Sequence, residues 1–405
     1  MQSLKNLFRI SSIRANNLQI LWLCHMHFCW GIASSMIFSL LPIFIVDELG
    51  GNSKSFGAIE GMVMFISFMA KLFSGFLIDI FKKTLPMLRV GTILTVISKL
   101  SLAFAPNVFF VFLSKSLDRF AKGLRQAPSD AILAILSEKK GLAYALRYTM
   151  NISGFLLGSI VTSTIVAMIG KNFRLIFSIA VVPAVFATYI LMTKFKENGD
   201  EKFENTTQNK WNFKDIKSMP KSYWSFLIFI SFLMFNRFSE GFITLRAKEV
   251  IPEQVSWFPI FMGIYEICAI TFSIIIGQIS DKIDKRKIMI FGISLLIIAD
   301  MFGIFSSDVY TILCIYIFAG LHIGTTQGLI GSMIAKIAPK NLIGTAFAVY
   351  YGIEGFILLM SNNLAGFSAS FVKSSAAPFF CGMIFSLFAV VYILIWRKNS
   401  KNVSL

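Results

Sequence analysis

The sequence predicts an all-α membrane protein with twelve transmembrane helices in two pseudo-symmetric six-helix bundles. Three observations carry that prediction: apolar composition, the placement of basic residues, and an internal repeat. The chain has 405 residues, 56% hydrophobic and only 15% charged, a make-up outside that of soluble domains. A hydrocarbon core about 30 Å thick takes roughly 20 apolar residues per helix, so a chain of this length with short loops holds about twelve spans. Apolar runs place them near 20–46, 57–79, 87–105, 107–127, 142–168, 174–193, 222–245, 255–279, 288–305, 308–335, 342–370 and 376–396. The first run is too long for a signal-peptide core and is expected to remain as a span.

Of the 38 Lys and Arg residues, 27 fall on one side of the membrane if the spans alternate from the N-terminus. Six fall in the opposite loops: Lys54, Lys171, Arg174, Arg246, Lys248 and Lys373. Lys71, Lys99, Lys115, Arg119 and Arg237 lie within spans. The positive-inside rule then puts both termini in the cytoplasm, with the chain in the inner (cytoplasmic) membrane. So distributed, the net charge of +17 leaves no basic stripe for nucleic acid. Cys24, Cys29, Cys268, Cys314 and Cys381 all fall inside spans without paired spacing, so neither a disulfide framework nor a metal site is expected.

Displacing the sequence by 202 residues aligns Gly61 with Gly263, Gly75 with Gly277 and Asp79 with Asp281. A displacement of 203 aligns Ala143-Tyr144-Ala145 with Ala346-Phe347-Ala348, and Asn151 with Glu354. A duplicated six-helix unit in parallel orientation accounts for both. The expected organisation is an N-terminal bundle over 1–193, a cytoplasmic linker over 194–221 and a C-terminal bundle over 222–405. The linker is the one long polar stretch; its Phe213–Lys217 segment is either a short amphipathic surface helix or plain solvated chain.

Helix 2 ends in Gly75, Asp79, Lys82 and Lys83, and helix 8 in Gly277, Asp281 and Arg286. Both stretches resemble the Gly-x-x-x-Asp loop with trailing basic residues of the major facilitator superfamily, where this cluster latches the cytoplasmic gate. Glycine allows helices to approach, and Asp at a helix end accepts backbone hydrogen bonds and pairs with basic side chains. Helix 4 carries Asp118, Arg119, Lys122, Gly123, Arg125, Pro128 and Asp130, similar to an Asp-Arg-x-Gly-Lys-Gly-x-Arg-x-x-Pro-Arg-Asp-Ala pattern in a bacterial subgroup of that superfamily. Asp118, Lys122, Gly123 and Arg125 join the gate candidates on that ground. Ala121 and Ser129 depart from the pattern, which puts transfer of function in more doubt than transfer of fold. Some members of the subgroup are linked to siderophore or other iron-related traffic. Gly154 to Ser159 loosely matches a glycine stretch that in drug:proton antiporters ends Gly-Pro, and the proline is absent here.

An ionisable residue inside a bilayer is costly and marks function by default. The resemblance puts helices 1, 4, 7 and 10 around a central cavity and helices 3, 6, 9 and 12 outside. Arg119, Arg237, Glu240 and His322 are the cavity candidates on that basis, and Glu266 and Glu354 on flanking helices are candidate proton carriers. Each has a bland alternative: Arg237 and Glu240, spaced i, i+3, could neutralise each other, and His322 could be a packing residue. His25 and His27 point to opposite faces, so at most one meets the cavity. Lys99 and Asp300 are expected to be peripheral, structural or snorkelling. Lys71, Lys99, Lys115 and Arg119 in one half face Glu240, Glu266, Asp300 and Glu354 in the other, a polarity suited to an anionic or zwitterionic solute.

The resulting expectation is a secondary active transporter, not an enzyme, that moves a small solute by alternating access and is coupled to protons. It needs no cofactor and works as a monomer in the lipid bilayer. Uptake of an anionic or zwitterionic solute or an iron-siderophore stands against drug or metabolite efflux. A non-transporting receptor or assembly factor is the alternative from another class. No Gly-x-x-x-x-Gly-Lys-Ser/Thr loop for ATP is present.

Overall fold

The computed structural model describes residues 16–81, 85–137, 140–195, 218–280, 282–339 and 342–399. Their helices are α1 (Asn16–Phe38), α2 (Ser53–Phe81), α3 (Leu85–Ala103), α4 (Val108–Leu136), α5 (Lys140–Ile169) and α6 (Phe173–Lys194). The second set is α7a (Lys221–Phe235), α7b (Gly241–Val250), α8 (Phe258–Ile279), α9 (Lys285–Phe305), α10 (Val309–Ile337), α11 (Ile343–Val372) and α12 (Ala377–Asn399). Among the described residues, nine helical segments are long and apolar enough to cross a bilayer. α2, α4 and α7 complete the twelve. α4 carries Lys115, Asp118, Arg119, Lys122 and Arg125, and α7 is interrupted.

The repeat is visible in element lengths. α4 and α10 both hold 29 residues, α5 and α11 both hold 30. α4 and α10 also start alike: Asn107 accepts from the Phe110 amide, and Asp308 accepts from the Thr311 amide in a capping box.

Within the first bundle α1 packs on α5 and α6, and α4 on α2 and α3; within the second, α10 packs on α8 and α9, and α12 on α7a and α9. The bundles meet through α2 with α11 and α5 with α8. Glycine makes the first contact possible. A Cβ at Gly57 would run into the Asn362 carbonyl and the Gly366 backbone, so the two backbones lie as close as in small-residue membrane interfaces.

That contact lies at the end of the molecule where α1 finishes and α2 begins. There Phe56 meets Phe242 edge-on at 5.1 Å, Ser163 donates to the Ser256 carbonyl at 2.6 Å, and Lys248 pairs with Asp47. The α2–α11 packing continues to mid-depth, where Phe68 stacks on Tyr351. The inter-bundle hydrogen bond from Ser163 to Ser256 and the ion pair between Lys248 and Asp47 both lie at this closed end. The opposite end is open.

Two helices depart from expectation. α4 runs through Pro128 to Leu136 and does not end near residue 127. The seventh span, expected to be continuous over 222–245, breaks at residues 236–240. Side chains from neighbouring helices satisfy the groups freed there: Ser361 donates to the Phe235 carbonyl at 2.8 Å and Asn362 Oδ1 accepts from the Ser239 amide at 2.8 Å. Non-helical backbone at membrane depth persists only where protein supplies such partners.

Candidate functional site: a cavity between the bundles

Between the bundles lies a cavity of about 560 Å³, floored at the closed end by Phe38, Leu41 and Met262. Its volume is within the range of sites for drug-sized ligands. The wall is mostly first bundle and heavily cationic: Lys99, Lys115, Arg119, Lys122, Arg125 and Arg147 line it. From the second bundle come Glu240 and Glu266.

The cations are not equivalent. Lys115, 6% exposed, pairs with Glu60 of α2, 1% exposed. Lys99 lies 3.6 Å from Asp118, and Arg147 pairs with Asp130. Arg125 donates to Thr95 at 2.9 Å and lies over the Trp30 ring at 4.2 Å, a cation–π contact. Arg119 forms no ion pair among the described residues, and its buried Nε has no acceptor. The Trp30 indole N–H and His27 Nε2 are also buried without partners on the same wall. Unmet donors in a cationic pocket are what an anionic group would satisfy.

The sequence candidates separate into three groups. Arg119, Glu240 and Glu266 meet in the cavity, together with Asp118, Lys122 and Arg125 from the gate motif. Arg237 and His322 stand apart: Arg237 Nε donates to His322 Nε2 at 3.2 Å, its other nitrogens reach Gln327 (2.8 Å) and Thr326, and His322 Nδ1 is 2.8 Å from the Gly292 carbonyl. Glu354 is buried within α11, accepting from Tyr350 at 2.9 Å. Gly123 packs against Ala70, whereas a Cβ at Gly277 would meet nothing within 4 Å, so close approach does not explain that glycine here. Arg286 is buried, its amide capped by Asp284. The side chains of Lys71 and Asp79 and the surroundings of Gly75, with residues Lys82, Lys83 and Asp281, lie outside the described set.

Two expectations are corrected. Arg237 and Glu240 do not pair through i, i+3 helical geometry, because the helix breaks between them and Glu240 accepts instead from Tyr265 at 3.0 Å. Lys99 is not peripheral: it is 3% exposed, lines the cavity and does not snorkel, since Asp118 and the Ala33 carbonyl hold it inward. Of the two helix-1 histidines, His27 faces the cavity and His25 is exposed, its Nδ1 2.7 Å from the Leu21 carbonyl. Glu60 was passed over, although an acid inside an apolar run is the same signal that picked out the others.

The chain is 27% identical over 344 residues to an uncharacterised MFS-type transporter of Methanocaldococcus jannaschii, covering 83% of this chain and 84% of the relative. It superposes on the nucleoside transporter NupG with TM-score 0.78 at 14% identity, covering 95% of this chain and 99% of that one. A bacterial homologue of the human lysosomal transporter Spinster, in an inward-facing and unoccupied conformation, gives 0.70 at 13% identity over 94% and 95%. A POT family transporter in complex with a thioalcohol-conjugated peptide gives 0.74 at 13% identity over 96% and 97%. At these identities the structures speak for the fold alone. The Major Facilitator Superfamily model matches residues 23–248 and 242–404, and with twelve helices enclosing a charged cavity, this multi-pass membrane protein belongs to that superfamily of transporters.

Proposed function

We propose that the protein is a proton-coupled secondary transporter that takes up a small anionic or zwitterionic solute by alternating access. The observation that carries the reading is the cavity itself: closed at one end by α2–α11 and α5–α8, cationic on one wall and carboxylate-bearing on the other. The bundles of 1–193 and 222–405, joined by the linker of 194–221, rock about it. With both termini in the cytoplasm of a bacterial-type inner membrane, the open end faces inward. Arg119 is the primary anion ligand, because it lines the cavity with its Nε unsatisfied. Glu240 and Glu266 face it as the ammonium or proton side.

The lean to uptake over efflux rests on the missing proline after Gly158; Gly154 and Gly158 themselves are explained by packing, since Cβ atoms there would strike the Phe28 and Ile32 carbonyls of α1. No antiporter motif is needed for that glycine stretch. Asp118 sits in the cavity wall with Lys99 in this state; its place in the gate belongs to the state in which the open end shuts.

The test is a thermal-shift panel of the purified protein against organic anions, zwitterions, cations and neutral solutes, followed by flux of each hit into proteoliposomes. Anions or zwitterions are expected to stabilise the wild type and not Arg119→Gln. Stabilisation by cations or neutral solutes only would refute the reading.

A further inference from the structure

Behind the cavity, in the second bundle, lies a separate chamber of about 60 Å³, room for one or two waters. Asn236, Arg237 and Glu240 of the α7 break line it, with Tyr265 of α8, Asp300 of α9 and His322 of α10. Asp300 is 2% exposed and forms no ion pair among the described residues. Its one hydrogen-bond donor among the described residues is Asn236 Nδ2 at 2.6 Å, which also contacts Ser386 Oγ of α12 at 2.7 Å. A bare carboxylate so placed is too costly to persist, so the group must carry a proton or hold a cation.

Three features decide what it holds. Arg237 lines the same chamber, and its hydrogen-bond partners among the described residues, His322, Thr326 and Gln327, are all neutral, so an aspartate left by a released proton would share the chamber with a fixed positive charge. Apart from Asp300 and Glu240, the wall is mainly apolar, with Leu296, Ala299, Ile315 and Phe379 among its residues. A sodium ion would find few oxygen ligands on such a wall; a proton needs only the carboxylate itself. Glu240 is the one residue that lines both this chamber and the 560 Å³ cavity.

We infer that Asp300 is an exchangeable proton site, distinct from the solute cavity and reached from it through Glu240. In the transfer the O–H bond breaks at Asp300, a chamber water passes the proton, and a new O–H bond forms at the Glu240 carboxylate, which then releases it to cavity water. Loss of the proton leaves an aspartate in the chamber with Arg237, at the break in α7 where Asn236 ties the chain to α9 and α12. Proton occupancy is thereby linked to the set of that break. Use of the site for coupling rests on the transport reading; the proton site itself does not.

The experiment needs no solute. Infrared difference spectra between acid and alkaline pH are recorded on reconstituted wild type, Asp300→Asn and Glu240→Gln. The protonated-carboxyl band lost on alkalinisation should lack a component in Asp300→Asn. In Glu240→Gln, which removes its own contribution, the remaining component should disappear at least ten-fold more slowly after a pH jump. Superposable spectra of wild type and Asp300→Asn would overturn the proposal, showing an acid that stays neutral as a packing element. So would a band bleached by sodium in place of choline at constant pH. If Asp300→Asn does not fold, Ser386→Ala must shift the band and Glu240→Gln must slow it; no change in both overturns the proposal equally. A protein that transports nothing yet passes this test would refute the transport reading alone.

Discussion

Replacing Glu60 by leucine leaves the Lys115 ammonium without its partner at a site where the two residues are 1% and 6% exposed. Breaking a buried pair from one side costs about 3–5 kcal/mol, whereas replacing both members by apolar residues of similar volume is often neutral or stabilising. Exposed pairs are worth only about 0–1 kcal/mol, so the burial of this pair sets the scale. Glu60→Leu and Lys115→Met are each expected to lower the thermal midpoint of the detergent-solubilised protein clearly. The double variant should return close to wild type, so that the coupling energy in a double-mutant cycle approaches the sum of the two single losses, about 6–10 kcal/mol. Additive losses in the double variant would refute the reasoning, since each charge would then have a separate partner. Losses below about 1 kcal/mol in both singles would do so too, by showing the pair to be as wet as a surface pair.

Arg246 donates to Ser306 and to the carbonyls of Gly303, Ile304 and Ser306 and pairs with Glu249, so Arg246→Leu should cost several kcal/mol by orphaning them. Glu48→Gln, which breaks only the half-exposed pair with Arg174, should cost about 1 kcal/mol or less in the same unfolding assay. In a cysteine-free background, cysteines at Lys54 and Lys171 should react with an impermeant thiol reagent from outside the cell and one at Ser218 should not; the reverse would invert the topology. Asp47→Asn removes the Lys248 pair across the closed end and should raise the population open at that end a few-fold, read as spin-label distances between α2 and α11.

The membrane class, the duplication and the twelve helices were legible in the sequence because the bilayer imposes a length and a polarity on every span. Periodicity could not show the break in α7: residues 236–240 are no more polar than many helical stretches, and Ser361, Asn362 and Asp300, which satisfy them, come from helices far along the chain. For the same reason the partners of intramembrane charges were obscure. Arg119 was found from its depth in α4, but the Glu60–Lys115 pair needs the α2–α4 contact to be known. Lys99 was misplaced because helix numbering sets the average environment of α3, not the inward reach of one long side chain held by Asp118.

The central claim, that the cavity opens alternately to the two sides, is tested most directly by the accessibility of its interior. Ser34 lines the cavity and Gly366 lies at the closed-end contact with α2. In oriented vesicles of a cysteine-free background, Ser34→Cys should react with an impermeant maleimide from the cytoplasmic side only. Adding Gly366→Trp, which wedges α11 from α2, should move that reactivity to the outer side. Reactivity that stays cytoplasmic in the correctly folded double variant, or that comes from both sides at once, would contradict the account.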